Sequence, residues 1–149
     1  MKRVYIDLDG VIADFEKGRE EHPQGKVSPY IGRPDKLPGL FENLEPIDDA
    51  ISSVNLLLES PDFDIYFLST APWDNPDAWT HKRLWIAKYF DEKLIRKRLI
   101  LCHFKNYLIG DYLIDDRRHN GAKDFQGEWL HFGSDKFPNW KSILKYILD

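Results

Sequence analysis

The sequence predicts an α/β fold in which a parallel sheet is covered by helices on both faces. Short apolar runs that favour strands alternate along the chain with segments of helical periodicity. Acidic or hydroxyl residues follow several of these runs, and the carboxyl ends of parallel strands meet at one edge of a sheet. With 149 residues, the chain is predicted to form a single domain with a functional site at that edge.

The N-terminal part of the chain predicts one strand, one helix and a long irregular stretch. The apolar run at residues 4–6 predicts a buried first strand that ends at Asp7. The mostly charged residues 14–22 predict a short helix. Proline and glycine then recur through residues 23–39 and break regular structure, so we expect an excursion outside the core.

The remainder of the chain alternates between helix and strand. Helices are predicted at residues 46–60, 79–90 and 140–148, and strands at residues 65–70, 99–102, 112–114 and 129–132. Together with the first strand, these runs predict a five-stranded sheet. No internal repeat and no low-complexity tract interrupts the pattern.

Composition excludes several functional classes. The formal net charge of −4 and the pI near 5.7 argue against polymeric nucleic acid as a partner. Cys102 is the only cysteine, which excludes an internal disulfide and a multi-cysteine zinc site. The apolar run near the N-terminus is too short for a signal peptide or a membrane span, so we expect a cytoplasmic protein without a membrane partner.

Two pairs of carboxylates follow predicted strands. Asp7 and Asp9 follow the first strand and precede Gly10, and Asp115 and Asp116 follow the strand at residues 112–114. Carboxylates held this close repel one another unless a cation offsets their charge. Mg²⁺ takes oxygen ligands and keeps water molecules that a substrate phosphate can replace. The pairs therefore predict a magnesium site.

A hydroxyl and a lysine complete the predicted constellation. Thr70 ends the second predicted strand and offers its hydroxyl and neighbouring amides to phosphate oxygens. Lys105 offers a compact positive charge to the same oxygens. Carboxylates, Mg²⁺, a hydroxyl and a lysine at one edge of a sheet are the parts of a phosphoryl-transfer site.

In chain order, this constellation resembles the four motifs of the haloacid dehalogenase superfamily. Within that superfamily, the chain resembles the 5'(3')-deoxyribonucleotidases at residues 7–15, 44–46, 70–72, 82, 85, 113–117, 140 and 143–144. The resemblance implies a Rossmannoid three-layer fold with a small cap insertion at about residues 16–45. This stretch is short for the family and offers chiefly Tyr30 and Phe41 as aromatic residues.

The resemblance also implies roles for the acidic residues. Asp7 would be the nucleophile that forms an aspartyl-phosphate, and Asp9 would act as the acid and base. The Asp7 carboxylate, the Asp9 backbone carbonyl and the second acidic pair would hold Mg²⁺. Asp116 is favoured as the direct ligand with Asp115 supporting it, and the choice between the two stays open.

Three further residues are implied to contact the substrate. Thr70 would bind the phosphate, and Lys105 would stabilise both the attacking carboxylate and the phosphoryl charge. Phe15 matches the family position that contacts the base. Lys82 and Lys123 compete with Lys105 as the motif lysine, and the resemblance favours Lys105, because its distance to the acidic pair fits the family.

The sequence thus predicts a Mg²⁺-dependent phosphomonoesterase acting on a nucleoside monophosphate, with a deoxyribonucleotide favoured. One alternative is another small phosphate ester, because the short cap is where selectivity should lie. A phosphoacceptor domain of the receiver type and a catalytically silent phosphate-binding protein are others. The order of the motifs argues against a receiver domain, and the presence of Asp7 and Asp9 argues against a silent protein. A second subunit that covers the open site, forming a homodimer, is a further hypothesis.

Overall fold

A computed structural model describes residues 1–149 and has a five-stranded, wholly parallel sheet. The strands are β1 (Lys2–Ile6), β2 (Phe63–Ser69), β3 (Leu99–Leu101), β4 (Tyr112–Asp115) and β5 (Glu128–His131). The helices are α1 (Phe15–Glu21), α2 (Ala50–Glu59), α3 (Pro76–Tyr89), α4 (Glu92–Ile95) and α5 (Trp140–Leu148). Short 3₁₀ turns occupy Pro34–Lys36, Leu40–Glu42, Lys105–Tyr107 and Ala122–Asp124. The strand order is β3-β2-β1-β4-β5, which confirms the predicted α/β fold.

Two helices begin at residues that differ from the prediction. α2 begins at Ala50 because Pro46 pairs with Ala13 in an isolated bridge, and the Ile47 N–H donates to the Ile12 carbonyl at 2.7 Å. These contacts keep the chain extended where helical spacing predicted a first turn. α3 begins at Pro76, because proline fixes φ at a helical value and lacks the N–H that a first turn leaves unpaired.

The two faces of the sheet are covered differently. Val4 and Ile6 of β1 belong to a larger hydrophobic cluster, to which all five helices contribute buried residues. Tyr5 points to the opposite face, because side chains alternate along a strand. The cluster on that face is small, and Ala122 and Phe125, at a 3₁₀ turn, cover it in place of a helix, so the helices predicted for both faces contribute to the core of one face.

The irregular stretch before α2 contributes to the core, so the expectation of an excursion outside the core was wrong. Leu37, Leu40, Phe41 and Leu44 are all buried in the larger cluster. These side chains reach the core because the 3₁₀ turns bring them to one side, although Pro38 and Gly39 interrupt the helical spacing. That residues 16–45 act as a cap stays a prediction.

None of the helices has both the length and the apolar character that a membrane span requires.

Candidate active site

The predicted site residues meet at the carboxyl ends of the parallel strands. β1 pairs with β4 so that Ile6 lies opposite Ile114, and the Asp7 N–H donates to the Ile114 carbonyl at 2.9 Å. This register sets Asp7 beside Asp115. A cavity of about 490 Å³ opens here, and its lining includes every residue to which the resemblance gave a catalytic, metal-binding or substrate-binding role: Asp7, Asp9, Phe15, Thr70, Lys105, Asp115 and Asp116.

Three carboxylates form the floor of the cavity. One oxygen from each of Asp7, Asp115 and Asp116 lies within 4.8 Å of the others. Asp7 and Asp115 are buried, and Asp116 is half-buried. The Asp9 side chain is not part of this group, because its Oδ2 accepts from the Lys82 ammonium at 2.5 Å. The carboxylate cluster therefore consists of Asp7, Asp115 and Asp116.

Lys105 is the cation inside this cluster. Its buried Nζ lies 2.5 Å from Asp115 Oδ2 and 3.3 Å from Asp7 Oδ1. Of the two competing lysines, Lys123 is exposed and Lys82 pairs with Asp9. Of the three lysines, only Lys105 therefore contacts the cluster of Asp7, Asp115 and Asp116. Asp115 forms an ion pair with Lys105. The only cation near Asp116 is the Arg117 guanidinium, at 4.0 Å.

Burial and mutual repulsion raise the pKa values of the carboxylates. Burial is the largest cause for Asp7, and the charges of Asp115 and Asp9 add to it, so its pKa rises to about 7 despite Lys105. Burial and then the charge of Asp7 raise the pKa of Asp116 to about 6. Burial also raises the pKa of Asp115. The protein therefore pays free energy to keep these groups ionised at neutral pH.

The surroundings favour the charged form of Lys105, whereas they disfavour the charged forms of Asp7 and Asp115. Burial acts to lower the pKa of Lys105, but the charges of Asp7 and Asp115 outweigh it and raise the pKa above its ordinary value. Lys105 is therefore fully charged at neutral pH and stays beside the two carboxylates. One positive charge among three carboxylates leaves net negative charge on the floor of the cavity.

Thr70 lies at the wall of the cavity with its hydroxyl already engaged. Its Oγ1 donates to the Cys102 carbonyl, just beyond β3, at 2.8 Å. In this arrangement the hydroxyl offers only lone pairs to a ligand. To donate to a phosphate oxygen, it would have to exchange the Cys102 carbonyl for the phosphate.

An aromatic wall borders the polar floor. The rings of Phe15 and Phe41 stack with centroids 5.9 Å apart and an interplanar angle of 29°. They are the hydrophobic side chains of a cavity lining that is otherwise mainly polar. Phe15 was predicted to contact the substrate, whereas Tyr30, the other aromatic residue of the stretch, does not line the cavity.

Several lining residues escaped sequence reasoning. Ser69 precedes the predicted Thr70, and His119 and Asn120 lie in the loop beyond the motif at residues 113–117. Asn120 has a positive φ of 56°, and its carbonyl accepts from the Lys105 N–H at 2.7 Å. Proximity in sequence to the motifs was the only signal available for these residues.

Comparison with known proteins identifies a family for this chain. The model of the family described as "5' nucleotidase, deoxy (Pyrimidine), cytosolic type C protein" matches residues 30–141, which is more than half of the chain. A "Putative 5'(3')-deoxyribonucleotidase" of Vibrio phage KVP40 is 47% identical over 97% of this chain and 83% of its own length. The chain belongs to the 5'(3')-deoxyribonucleotidase family. This family lies within the haloacid dehalogenase superfamily, so the predicted resemblance is confirmed.

Two human members of the 5'(3')-deoxyribonucleotidase family also match. The cytosolic-type enzyme is 27% identical over 87% of this chain and 77% of its own length. The mitochondrial enzyme is 26% identical over 95% of this chain and 69% of its own length. As a member of this family, the chain is a phosphoric monoester hydrolase, which confirms the predicted class of enzyme.

The raised pKa of Asp7 predicts how the stability of the protein depends on pH in the absence of divalent cations. Between the unfolded value of 3.8 and about 7, the unfolded chain releases the Asp7 proton while the folded chain keeps it. The free energy of unfolding should therefore fall as pH rises through this window, and level off above it. Urea unfolding at pH 4 to 8 without divalent cations measures this slope.

Comparison with Asp7→Asn isolates this contribution. The lowered pKa of Asp64 gives an opposite slope at low pH, and subtraction removes it because both proteins share it. The stability of the wild type relative to the variant should decline between pH 4 and 7. A difference that stays constant over that range would contradict the raised pKa.

Proposed function

We propose that this protein is a Mg²⁺-dependent 5'(3')-deoxyribonucleotidase that removes phosphate from nucleoside monophosphates through an aspartyl-phosphate on Asp7. The observation that carries the proposal is the buried cluster of Asp7, Asp115 and Asp116 beside Lys105, at the foot of the Phe15 and Phe41 wall. The names of the relatives support the nucleotide substrate.

The carboxylate cluster fits a Mg²⁺ ion. Its donors are hard oxygens, and only one ammonium offsets three carboxylates, so the cluster lacks positive charge. Asp7 and Asp116 would be the carboxylate ligands, because the Asp115 carboxylate already accepts a hydrogen bond from Lys105 Nζ. The Asp9 backbone carbonyl would be a further ligand. When bound, Mg²⁺ would favour the ionised form of Asp7 and draw charge from a phosphate oxygen.

Asp7 is placed to act as the nucleophile. One of its carboxylate oxygens would attack phosphorus as the phosphorus–ester oxygen bond breaks. Lys105 Nζ, 3.3 Å from Asp7 Oδ1, would hold the attacking group in place and offset charge on the phosphoryl oxygens. Asp9 lines the same cavity and would give its proton to the leaving ester oxygen.

Asp9 would then act in reverse. It would take a proton from water as the water oxygen attacks phosphorus, and the bond from phosphorus to Asp7 would break. Inorganic phosphate and the free Asp7 carboxylate would result, with Asp9 protonated again. Phe15 and Phe41 would pack against the base, which is the apolar part of a nucleotide.

Phosphate release from a panel of substrates tests the function. The panel holds 5' and 3' deoxyribonucleotides, ribonucleotides and small sugar phosphates, each assayed with Mg²⁺ and with EDTA. We expect Mg²⁺-dependent release with a preference for deoxyribonucleotides. Phe41→Leu should raise KM for nucleotides more than for sugar phosphates, because sugar phosphates have no base to pack on the wall. Release that favours sugar phosphates would point to another small ester as substrate.

Gly10→Ala is expected to abolish Mg²⁺ binding. Gly10 has a φ of +81°, and a Cβ there would lie 2.6 Å from Asp116 Cγ, so the methyl group would displace the Asp116 carboxylate. Titration calorimetry with Mg²⁺ measures the affinity directly. Mg²⁺ should also fail to raise the melting temperature of the variant.

Gly32→Ala is the matched control for this substitution. Gly32 has a similar φ of +75°, and a Cβ there would meet no atom within 4 Å. Both variants should lose about 1–2 kcal/mol of stability from the left-handed backbone, but only Gly10→Ala should lose Mg²⁺ binding. If both variants lost Mg²⁺ affinity equally, displacement of the Asp116 carboxylate would not be the cause of the loss.

A further inference from the structure

Lys82 is a second buried lysine at the site, and three neighbours hold its ammonium group. Nζ donates to Asp9 Oδ2 at 2.5 Å and to Ser69 Oγ at 2.9 Å. It also lies 4.6 Å from the centroid of the Phe41 ring. The residue is 1% exposed. A buried ammonium is costly unless it is paired, so these contacts restrict Lys82 to one place.

Lys82 does not line the cavity, and its contacts direct the ammonium group to Asp9 and Ser69. An ammonium group has three N–H donors. Two of them are used by Asp9 and Ser69, and the Phe41 ring covers a further side of the ammonium. The partner of Lys82 is therefore the Asp9 carboxylate, and its role differs from that of Lys105.

The contact leaves one oxygen of Asp9 free to react. Oδ2 accepts from Lys82, while Oδ1 has no hydrogen-bond partner in the protein. The Asp9 side chain is 24% exposed and lines the cavity. A carboxylate at a cavity can rotate, and proton transfer requires an oxygen held within hydrogen-bond reach of the leaving group. Lys82 removes that rotational freedom.

The helix that carries Lys82 is itself fixed to the wall of the site. On α3, Trp85 Nε1 donates to the Leu44 carbonyl at 2.8 Å, and His81 Nε2 lies 3.4 Å from Glu42 Oε2. His81 and Trp85 lie on either side of Lys82 along α3, and Glu42 and Leu44 follow Phe41 in the chain. The two contacts therefore hold the segment that carries Phe41 against α3. A positioning group is effective when it is held by such a rigid element.

We propose that Lys82 is a positioning residue that holds Oδ2 of the Asp9 carboxyl group, so that Oδ1, carrying the proton, is fixed for proton transfer to the leaving group, with the Phe41 ring and Ser69 holding Lys82 in place. This inference rests on the proposed function, in which Asp9 is the acid. It assigns Lys82 no contact with substrate. If Lys82 has this role, removing its ammonium group should lower kcat/KM most for substrates whose leaving group must be protonated.

Lys82→Met tests the role with two substrates. Methionine keeps much of the aliphatic length and removes the ammonium group. We expect kcat/KM for a deoxyribonucleotide to fall by about 10²-fold, the size of the effect when a catalytic group is misplaced. For p-nitrophenyl phosphate, kcat/KM should change little, because the p-nitrophenolate anion leaves without a proton. KM for the deoxyribonucleotide should stay near the wild-type value.

Two further variants complete the experiment. Ser69→Ala removes one partner of Lys82 and should show a smaller loss with the same dependence on the leaving group, even if Lys82→Met folds poorly. Lys88→Met makes the same substitution at an exposed position of α3 and should leave both substrates unaffected. Thermal unfolding checks that each variant is folded.

The outcomes separate this inference from the proposed function. Equal loss for both substrates in Lys82→Met and Ser69→Ala, or no loss in either variant, would overturn the positioning role while wild-type activity upholds the proposed function. A wild type that releases phosphate from neither substrate would overturn both. Loss confined to the deoxyribonucleotide would support the role of Lys82.

Discussion

Asp7→Asn is expected to reduce phosphate release by at least about 10⁴-fold, since an amide cannot serve as the attacking carboxylate. The substitution keeps the size of the side chain and removes a buried negative charge. Burial raises the pKa of Asp7 to about 7, so above that pH the wild type bears a cost that the variant avoids. Asp7→Asn should therefore be at least as stable as the wild type at pH 8. Phosphate release with Mg²⁺ and urea unfolding at pH 8 measure the two effects.

Asp135→Asn is the matched control for the Asp7 substitution. Asp135 is exposed and makes no ion pair in the structure. This variant should keep wild-type activity and stability. If Asp7→Asn were folded and still turned over at the wild-type rate, the nucleophile would have to be another residue.

Lys105→Met is expected to destabilise the protein by about 3–5 kcal/mol, because it leaves buried carboxylates without their partner. Lys105 Nζ lies within 3.3 Å of both Asp7 and Asp115, and its side chain is 4% exposed. Activity should be lost as well, since the phosphoryl oxygens lose a positive charge. Urea unfolding near pH 8, where the carboxylates are ionised, measures the stability.

Two comparisons test the reason for this loss. Lys123→Met replaces an exposed lysine and should change stability by less than about 0.5 kcal/mol. The double variant Asp7→Asn with Lys105→Met should recover part of the stability, because one of the unpaired charges is removed. A double variant as unstable as the sum of the two single variants would argue that packing, not charge, accounts for the loss.

The main site residues could be predicted from the sequence because they follow strands. Asp7 and Asp115 come directly after apolar runs, and parallel strands bring such positions to one edge of the sheet. The order of the motifs then carried the family resemblance, which the comparisons confirm. The roles of the individual residues and the bound ion stay proposals that the experiments above test.

Contacts between distant segments could not be predicted in this way. Lys82 and Asp9 are 73 residues apart, and no local pattern distinguishes a lysine that pairs with Asp9 from one that faces solvent. The sequence likewise favoured Lys105 over Lys123 only through the family. Both lysines lie in 3₁₀ turns, yet Lys105 is buried and Lys123 is exposed.

By itself, the sequence determined the parallel sheet, the edge of the sheet that carries the candidate site and the residue types found there. These follow from periodicity and strand polarity, which act over a few residues. Only the tertiary structure decided that apolar side chains of residues 37–44 enter the core, that Thr70 donates to Cys102 and that Asp9 is held by Lys82. Such contacts depend on where whole elements pack, and packing is a property of the folded chain that no short stretch of sequence contains.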